Sequence, residues 1–306
     1  MFLATPTAET PQRQAAKGRS RRKSDDEEDI IISFDNVKVS FRESWGIAVG
    51  QTSTVCRGLI QYEDDKSGRE CAVKIAHEDE DSVWAVDHEQ KVLRVIGDCE
   101  HVMPLLIGKR GVSVFDLAPM SLVKAIETSK DVKQKLIWVK QLFRGLCEVH
   151  ERGVVHGDLK PHNVLIDRCG RLRLCDFGNS YIISDNSDEI SGGGTTAYTP
   201  PEALTNNVCS SDPFKRDVYA AGLTSYFMLT GRMPFKSHGS PVRLIVAIRQ
   251  GFMECGDNGV PGDLYSQDPP FYDALIQFLR WCTHKDPRER PTAPQALEKL
   301  LKEFTF

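Results

Sequence analysis

The sequence predicts an α+β chain folded in two lobes with a cleft between them. Three observations carry that prediction. Residues 31–75 fall into short runs of alternating apolar and polar side chains, rich in β-branched residues and broken by Gly and Asp turns. Beyond about residue 120 the apolar spacing becomes helical. Within that helical part the chain places a charged loop, VVHGDLKPHNVLI (Val154 to Ile166), beside an apolar run. Strands first and helices later give an α+β architecture, and the junction of two such lobes is where a cleft forms.

The whole-chain numbers bound the function classes. The 306 residues are 40% hydrophobic and 27% charged, enough apolar sequence for a real core. A formal net charge of −4 gives the folded part no electrostatic reason to bind nucleic acid or a membrane surface. No apolar run approaches the roughly 18 residues of a membrane span, and the opening MFLATPTAETPQ lacks the apolar block of a signal peptide. Nine cysteines are scattered without a CxxC pair, which reads as reduced thiols in an intracellular protein, most of them small core residues. The expected location is cytoplasmic, with the nucleus as the alternative.

Residues 1–30 are polar and proline-containing, so they are expected to be a disordered tail ahead of a domain over 31–306. A basic block, Lys17–Lys23, meets an acidic one, Asp25–Asp29, around Ser24. A nuclear signal, a phosphorylation switch at Ser24 and a merely solvated tail all fit that pattern. Strands are then expected at IISFDNVKVSF, TVCRGLIQY and ECAVKIA, the last two joined by the turn EDDKSG. A helix follows over DSVWAVDHEQKVLRVIG, with Trp84, His88, Val92 and Val95 as its stripe and Gly97 as its stop. Two short strands come next, in HVMPLLIGK and GVSVFDLA. DVKQKLIWVKQLFRGLCEVHERG carries Leu136, Val139, Leu142, Phe143, Leu146 and Val149 on one helical face. RDVYAAGLTSYFMLTG is apolar nearly all round, the mark of a buried helix. PPFYDALIQFLRWCTH and TAPQALEKLLKEF supply the last helices.

The chemistry gathers in three places. Lys74, inward on the strand CAVKIA, needs a counter-charge because burying a lone ammonium is costly. Glu89 on the following helix is a plausible one. Asp158, Lys160 and Asn163 share one loop, and LCDFGN brings Asp176 shortly after. Asn163 and Asp176 are oxygen donors suited to Mg²⁺. Asp158 can accept a proton from an attacking hydroxyl, and Lys160 can offset charge on a transferring phosphate. His156 reads as a packed core histidine, since no other His or Cys stands at ligand spacing.

These motifs, in this order, resemble a eukaryotic-type Ser/Thr protein kinase over roughly residues 35–303: AVKIA, HEQKVL, HGDLKPHN, DFG at 176–178, GTTAYTPPE at 194–202, RDVYAAG and DPRERPT. The resemblance implies a bilobal protein kinase-like fold. It has a small β-rich lobe with one helix (about 31–115), a hinge (116–120) and a mostly helical lobe (121–306). It implies ATP with Mg²⁺, Mn²⁺ being a possible substitute. Lys74, positioned by Glu89, would hold the α- and β-phosphates, and Asp158 would orient or deprotonate the substrate hydroxyl. Asn163 and Asp176 would bind metal. Ala48, Gly50 and Ser53 fall in the phosphate-covering loop. By the same resemblance Val55, Ala72 and Leu165 would stack with adenine, Phe115 would guard the back of its pocket, and the backbone of Asp116 to Ala118 would bind it. Leu93, Leu105, His156 and Phe177 form a second stacked column, and Gly178 completes DFG. The resemblance further implies that Thr195 bonds Asp158 and Lys160, that Glu202 pairs with Arg290, and that Asp217 anchors the catalytic loop.

Two departures from the pattern stand out. Of the three glycines in G-x-G-x-x-G only Gly50 survives, in A-V-G-Q-T-S-T-V. Gly157 replaces an Arg whose guanidinium otherwise pairs with a phosphate on the activation segment. Ser184, Ser187 and Ser191 lie among acidic residues, where added phosphate would meet no such partner. The expectation is a kinase active without that phosphorylation, or one that depends on an activating or scaffolding protein. DLKPHN and GTTAYTPPE match the Ser/Thr pattern, and His162 in place of Glu argues against strong selection for upstream Arg. Protein substrates are the expected partners. The rival is a pseudokinase, a nucleotide-binding scaffold, which the eroded glycine loop and Gly157 motivate. Retention of Lys74, Glu89, Asp158, Lys160, Asn163 and Asp176 argues for catalysis. GTTAYTPPE disfavours a small-molecule kinase.

Overall fold

The computed structural model describes residues 29–185, 194–204, 212–237, 239–252 and 261–304. Six antiparallel strands make the N-terminal sheet: β1 (Ile30–Phe34), β2 (Val37–Val49), β3 (Ser53–Tyr62), β4 (Asp65–Ala76), β5 (Leu105–Lys109) and β6 (Val112–Asp116), in the order β1-β2-β3-β4-β6-β5. One strand was expected over residues 31–41, and it is instead a hairpin. Asp35 and Asn36, both good turn residues, reverse the chain so that Phe34 pairs with Val37 and Ile30 with Phe41. Strand β1 therefore begins one residue inside the segment assigned to the tail, and Asp29 already accepts a 2.5 Å bond from Arg42. The rest of that tail, with Lys17–Lys23, Ser24 and Asp25–Glu28, lies outside the described residues. Alternation buries Val39, Ile60, Val73 and Val114 on one face of the sheet.

Helix α1 (Glu80–Ile96) starts at Asp79, whose side chain caps the Ser82 amide, and stops at Gly97 with φ 68°. Its stripe follows the expected one only in part: Val92 is fully buried, but Trp84 is 63% and Val95 43% exposed, while Val86, Glu89, Gln90, Leu93 and Ile96 face inward. Two polar side chains set this rotation. Gln90 Nε2 donates to the Lys109 and Val112 carbonyls at 2.9 and 3.1 Å, and Glu89 pairs with Lys74. Buried polar groups must find partners, and that requirement overrides the apolar spacing.

The C-terminal lobe is built on α2 (Leu122–Thr128), α3 (Val132–Glu151), α4 (Phe214–Thr230), α5 (Pro241–Gln250), α6 (Gly262–Tyr265), α7 (Pro269–Cys282) and α8 (Ala293–Glu303). The apolar face expected of α3 is buried from Leu136 to Val149. Every residue of α4 from Arg216 to Thr230 is buried, so it forms the lobe's central post. Phe143 on α3 meets Phe278 on α7 edge to face at 5.5 Å. The short helices α2, α5 and α6 have no counterpart among the expected elements. At 7, 10 and 4 residues they are too short for periodicity to declare them. Small strand pairs position the loops between the lobes: β7 (Met120–Ser121) with β9 (Val164–Ile166) and β10 (Leu172–Leu174), and β8 (Val154–Val155) with β11 (Tyr181–Ile182). Val92, Leu93 and Ile96 of α1 belong to the same apolar cluster as the C-terminal lobe, which packs the two lobes together through that helix.

Candidate active site

Lys74 sits on β4 between Val73, fully buried, and half-buried Ile75. Its Nζ lies 2.7 Å from Glu89 Oε2 and 2.9 Å from Asp176 Oδ1. Burial works against the ammonium, but the two carboxylates outweigh it and hold Lys74 well above the usual lysine range. Burial likewise opposes charge on Asp176, yet Lys74 draws its carboxyl below the ordinary value, with His156 and Lys160 acting in the same direction. Glu89 Oε1 also accepts the Phe177 amide at 2.9 Å, so one carboxylate fixes both the strand lysine and the start of DFG. Asp176 takes a left-handed φ of 64°.

The loop after β8 is held from beneath. Asp217 accepts the His156 amide at 2.8 Å, the Gly157 amide at 3.0 Å and His150 Nε2 at 3.0 Å. The His156 ring is fully buried, 4.6 Å from the Phe177 ring, with Nε2 3.2 Å from the Cys175 carbonyl. Above this base stand the reactive side chains. Lys160 Nζ bonds Asp158 Oδ2 and Thr195 Oγ1, each at 2.7 Å, while the Thr195 amide donates to Asp158 Oδ1 at 2.8 Å. Asn163 Nδ2 donates to the Asp158 carbonyl at 2.8 Å, which leaves its amide oxygen as the group able to ligate a cation.

Around these lie the residues expected to meet a nucleotide. Val55, Ala72, Leu165, Phe115, Asp116 and Ala118 are half-buried, while Ala48 and Gly50 are exposed. Asp116 is drawn to Arg69 at 3.2 Å. Despite its lost glycines, the loop between β2 and β3 closes tightly: the Gly50 amide donates to the Ser53 carbonyl at 2.8 Å and Ser53 is buried. Leu93 and Phe177 share one apolar cluster, with Leu105 packed against it. Gly178 has only ordinary contacts around it, the nearest being Asp176 Oδ1.

Further from the centre, Arg290 forks onto Glu202 with bonds of 2.7 and 2.8 Å. The Arg290 side chain is fully buried and its guanidinium lies 4.9 Å from the Tyr219 ring centre. Ser184 is exposed, and Ser187 and Ser191 lie outside the described residues. Three further residues escaped the sequence reading. His150 completes the Asp217 hub, and the only hint of it was a polar residue one position past the apolar stripe of α3. Ser180 Oγ donates to the His156 carbonyl at 2.8 Å, and its own carbonyl lies 2.6 Å from His88 Nε2. The Asn179 carbonyl fills the space where a β-carbon on Gly157 would be, at 2.4 Å. No spacing in the sequence announces either contact.

The fold and this arrangement are those of the protein kinases. A family model for the protein kinase domain matches residues 46–301, and the chain belongs to that family. Among similar proteins is a mitogen-activated protein kinase kinase 1 of Arabidopsis thaliana, 34% identical over 174 residues, covering 54% of this chain and 46% of that protein. The dual specificity mitogen-activated protein kinase kinase jkk-1 of Caenorhabditis elegans is 30% identical over 150 residues, 48% of this chain and 33% of that one. A probable serine/threonine-protein kinase of Dictyostelium discoideum is 27% identical over 248 residues, 76% of this chain and 14% of its own length. The chain spans less than half the length of these curated relatives. Proteins of the kinase-domain family use ATP and a divalent metal.

Proposed function

We propose that the chain transfers the γ-phosphoryl group of ATP to Ser or Thr hydroxyls of protein substrates. The observation that carries the proposal is the convergence of Asp158, Lys160, Thr195 and Asn163 beside an assembled Lys74–Glu89–Asp176 cluster. Asp158 Oδ2 and Oδ1 are held by Lys160 and the Thr195 amide, so the carboxylate is oriented before any substrate arrives. It receives the proton as the substrate oxygen bonds to the γ-phosphorus and the bond to the β–γ bridging oxygen breaks. Lys160 offsets charge on the phosphoryl group in flight, and Lys74 holds the phosphates that stay behind.

The donor set fits a hard divalent cation. The Asn163 amide oxygen and the Asp176 carboxylate supply oxygen ligands, and among the described residues no cluster of three or more His, Cys, Asp or Glu offers a complete cage. Such an ion, Mg²⁺ with Mn²⁺ as a substitute, would complete its shell with phosphate and water and supply electrostatic stabilisation of the transferring group. Val55, Ala72 and Leu165 would sandwich adenine beneath Ala48 and Gly50, against Phe115, with the backbone of Asp116 to Ala118 reading its edge.

Gly157 lies behind the proposal that activity does not require a phosphate on the activation segment. No side chain extends from that position, and Asn179 occupies the space. Two relatives bear names of kinases that act on kinases, which makes a protein kinase the substrate class to try first. A second reading, a nucleotide-binding scaffold, rests on the loop that keeps only Gly50. The discriminating experiment measures phosphate incorporation from labelled ATP and Mg²⁺ into a generic protein substrate, with phosphoamino-acid analysis of the product. Incorporation on Ser and Thr that vanishes in Asp158→Asn supports transfer. Nucleotide binding without incorporation sinks it in favour of the scaffold, and phosphotyrosine would redraw the specificity.

A further inference from the structure

Gly157 leaves the catalytic loop without an arginine at that position, yet a guanidinium lies beside it. Arg216, in the first turn of α4, is only 9% exposed. Its Nη2 lies 3.2 Å from the point where a β-carbon on Gly194 would stand. The Gly157 carbonyl lies 3.3 Å from the same point and Asp158 Oδ1 3.6 Å. A guanidinium, a catalytic-loop carbonyl and the reactive carboxylate thus close round a single α-carbon. Gly194 has φ 132°, and a side chain there would be strained as well as crowded. The next residue, Thr195, donates its amide to Asp158 and accepts Lys160 Nζ on its hydroxyl. The space between α4 and the loop is nearly filled, with about 10 Å³ left beside Arg216, room for no more than one water. Arg216 also acts on Tyr181 of β11: burial pushes that phenol up to about 12, and Arg216 pulls the other way.

We infer that Arg216 is a positioning residue for phosphoryl transfer, clamping the Gly194–Thr195 junction against the catalytic loop from α4. The loop that cannot carry an arginine at 157 is served by one from below. Its neighbours divide similar duties: Lys215 donates to the Arg290 carbonyl, and Asp217 holds the His156 and Gly157 amides. The guanidinium suits this place because its fixed fork can bond carbonyls while staying charged when buried.

The catalytic part of this inference rests on the proposed kinase activity; the clamp itself does not. The test compares Arg216→Met, Arg216→Gln and Arg216→Lys in the full chain. It uses thermal unfolding, amide hydrogen exchange at Thr195, and steady-state kinetics with ATP, Mg²⁺ and a protein substrate. The expected result is an unchanged melting midpoint and Thr195 exchange at least tenfold faster in the Met and Gln variants. Their kcat falls roughly tenfold to a hundredfold at constant KM for ATP, as a small misplacement of the reacting group would give. Arg216→Lys recovers part of both losses. Unchanged exchange at Thr195 with unchanged kcat overturns the inference. So does a loss of protection spread evenly over α3, α4 and α7, which would make Arg216 a packing residue only. If the wild type shows no turnover, the kinase reading fails, and the Thr195 exchange still decides the clamp.

Discussion

At Gly157 the backbone has φ 79°, and the space for a β-carbon is taken by the Asn179 carbonyl 2.4 Å away. Gly157→Ala is therefore expected to cost about 1–2 kcal/mol for the left-handed conformation alone, more if Asn179 cannot yield. A lowered midpoint in urea unfolding with an unchanged slope would register it. Gly157→Arg should not recreate a phosphate-responsive arginine, because its stem must first displace Asn179. A gain of activity on phosphorylating that variant would count against this reading. The residues with fixed spacing along one loop, Asp158, Lys160 and Asn163, were legible in the sequence because the loop itself brings them together. Asn179, Arg216 and His150 were not, because each meets its partner through a tertiary approach that linear spacing does not encode.

Helix α1 shows the same limit one level up. Its existence and its stop at Gly97 were legible from the apolar run and the glycine, but its Asp79 cap and its rotation were not, because Glu89 and Gln90 turn inward to satisfy Lys74 and two strand carbonyls. The hairpin at Asp35–Asn36 was missed for a simpler reason: two short strands with a two-residue turn read as one longer strand. Helix α4 was legible because nothing in its length offered a polar face, and its first turn carries a pH prediction. Burial opposes charge on Asp217, but bonds and charge from His150, with the His156 amide, outweigh it and keep its carboxyl below the ordinary range. A folded value lowered from the unfolded value of about 3.9 gives stability that is fully present above that pH. That stability is lost as the pH falls through the lower folded value. Asp217→Asn should therefore destabilise the protein near neutrality, and the penalty should shrink below about pH 4. Unfolding curves from pH 3 to 7 for both proteins check this, and a penalty that grows on acidification would refute it. The buried Arg290–Glu202 fork predicts a larger effect. Glu202→Ala strands a buried guanidinium and should cost about 3–5 kcal/mol, read by the same unfolding curves.

Over the whole molecule, the two-lobed α+β plan was legible because strand and helix patterns occupy separate stretches of chain. The packing of α1 into the C-terminal core was not, since Val92, Leu93 and Ile96 reveal their partners only in three dimensions. The site is held by Lys74 on both Glu89 and Asp176, and Gly157 presents no side chain to pair with a phosphate, which is the basis for expecting activity without one. The most direct test is the initial rate of Ser/Thr phosphorylation by phosphatase-treated chain in which Ser184, Ser187 and Ser191 are all replaced by Ala. A rate within about twofold of wild type, abolished by adding Asp158→Asn, is what the account predicts. A folded triple variant that stays at background while the wild type turns over would contradict it.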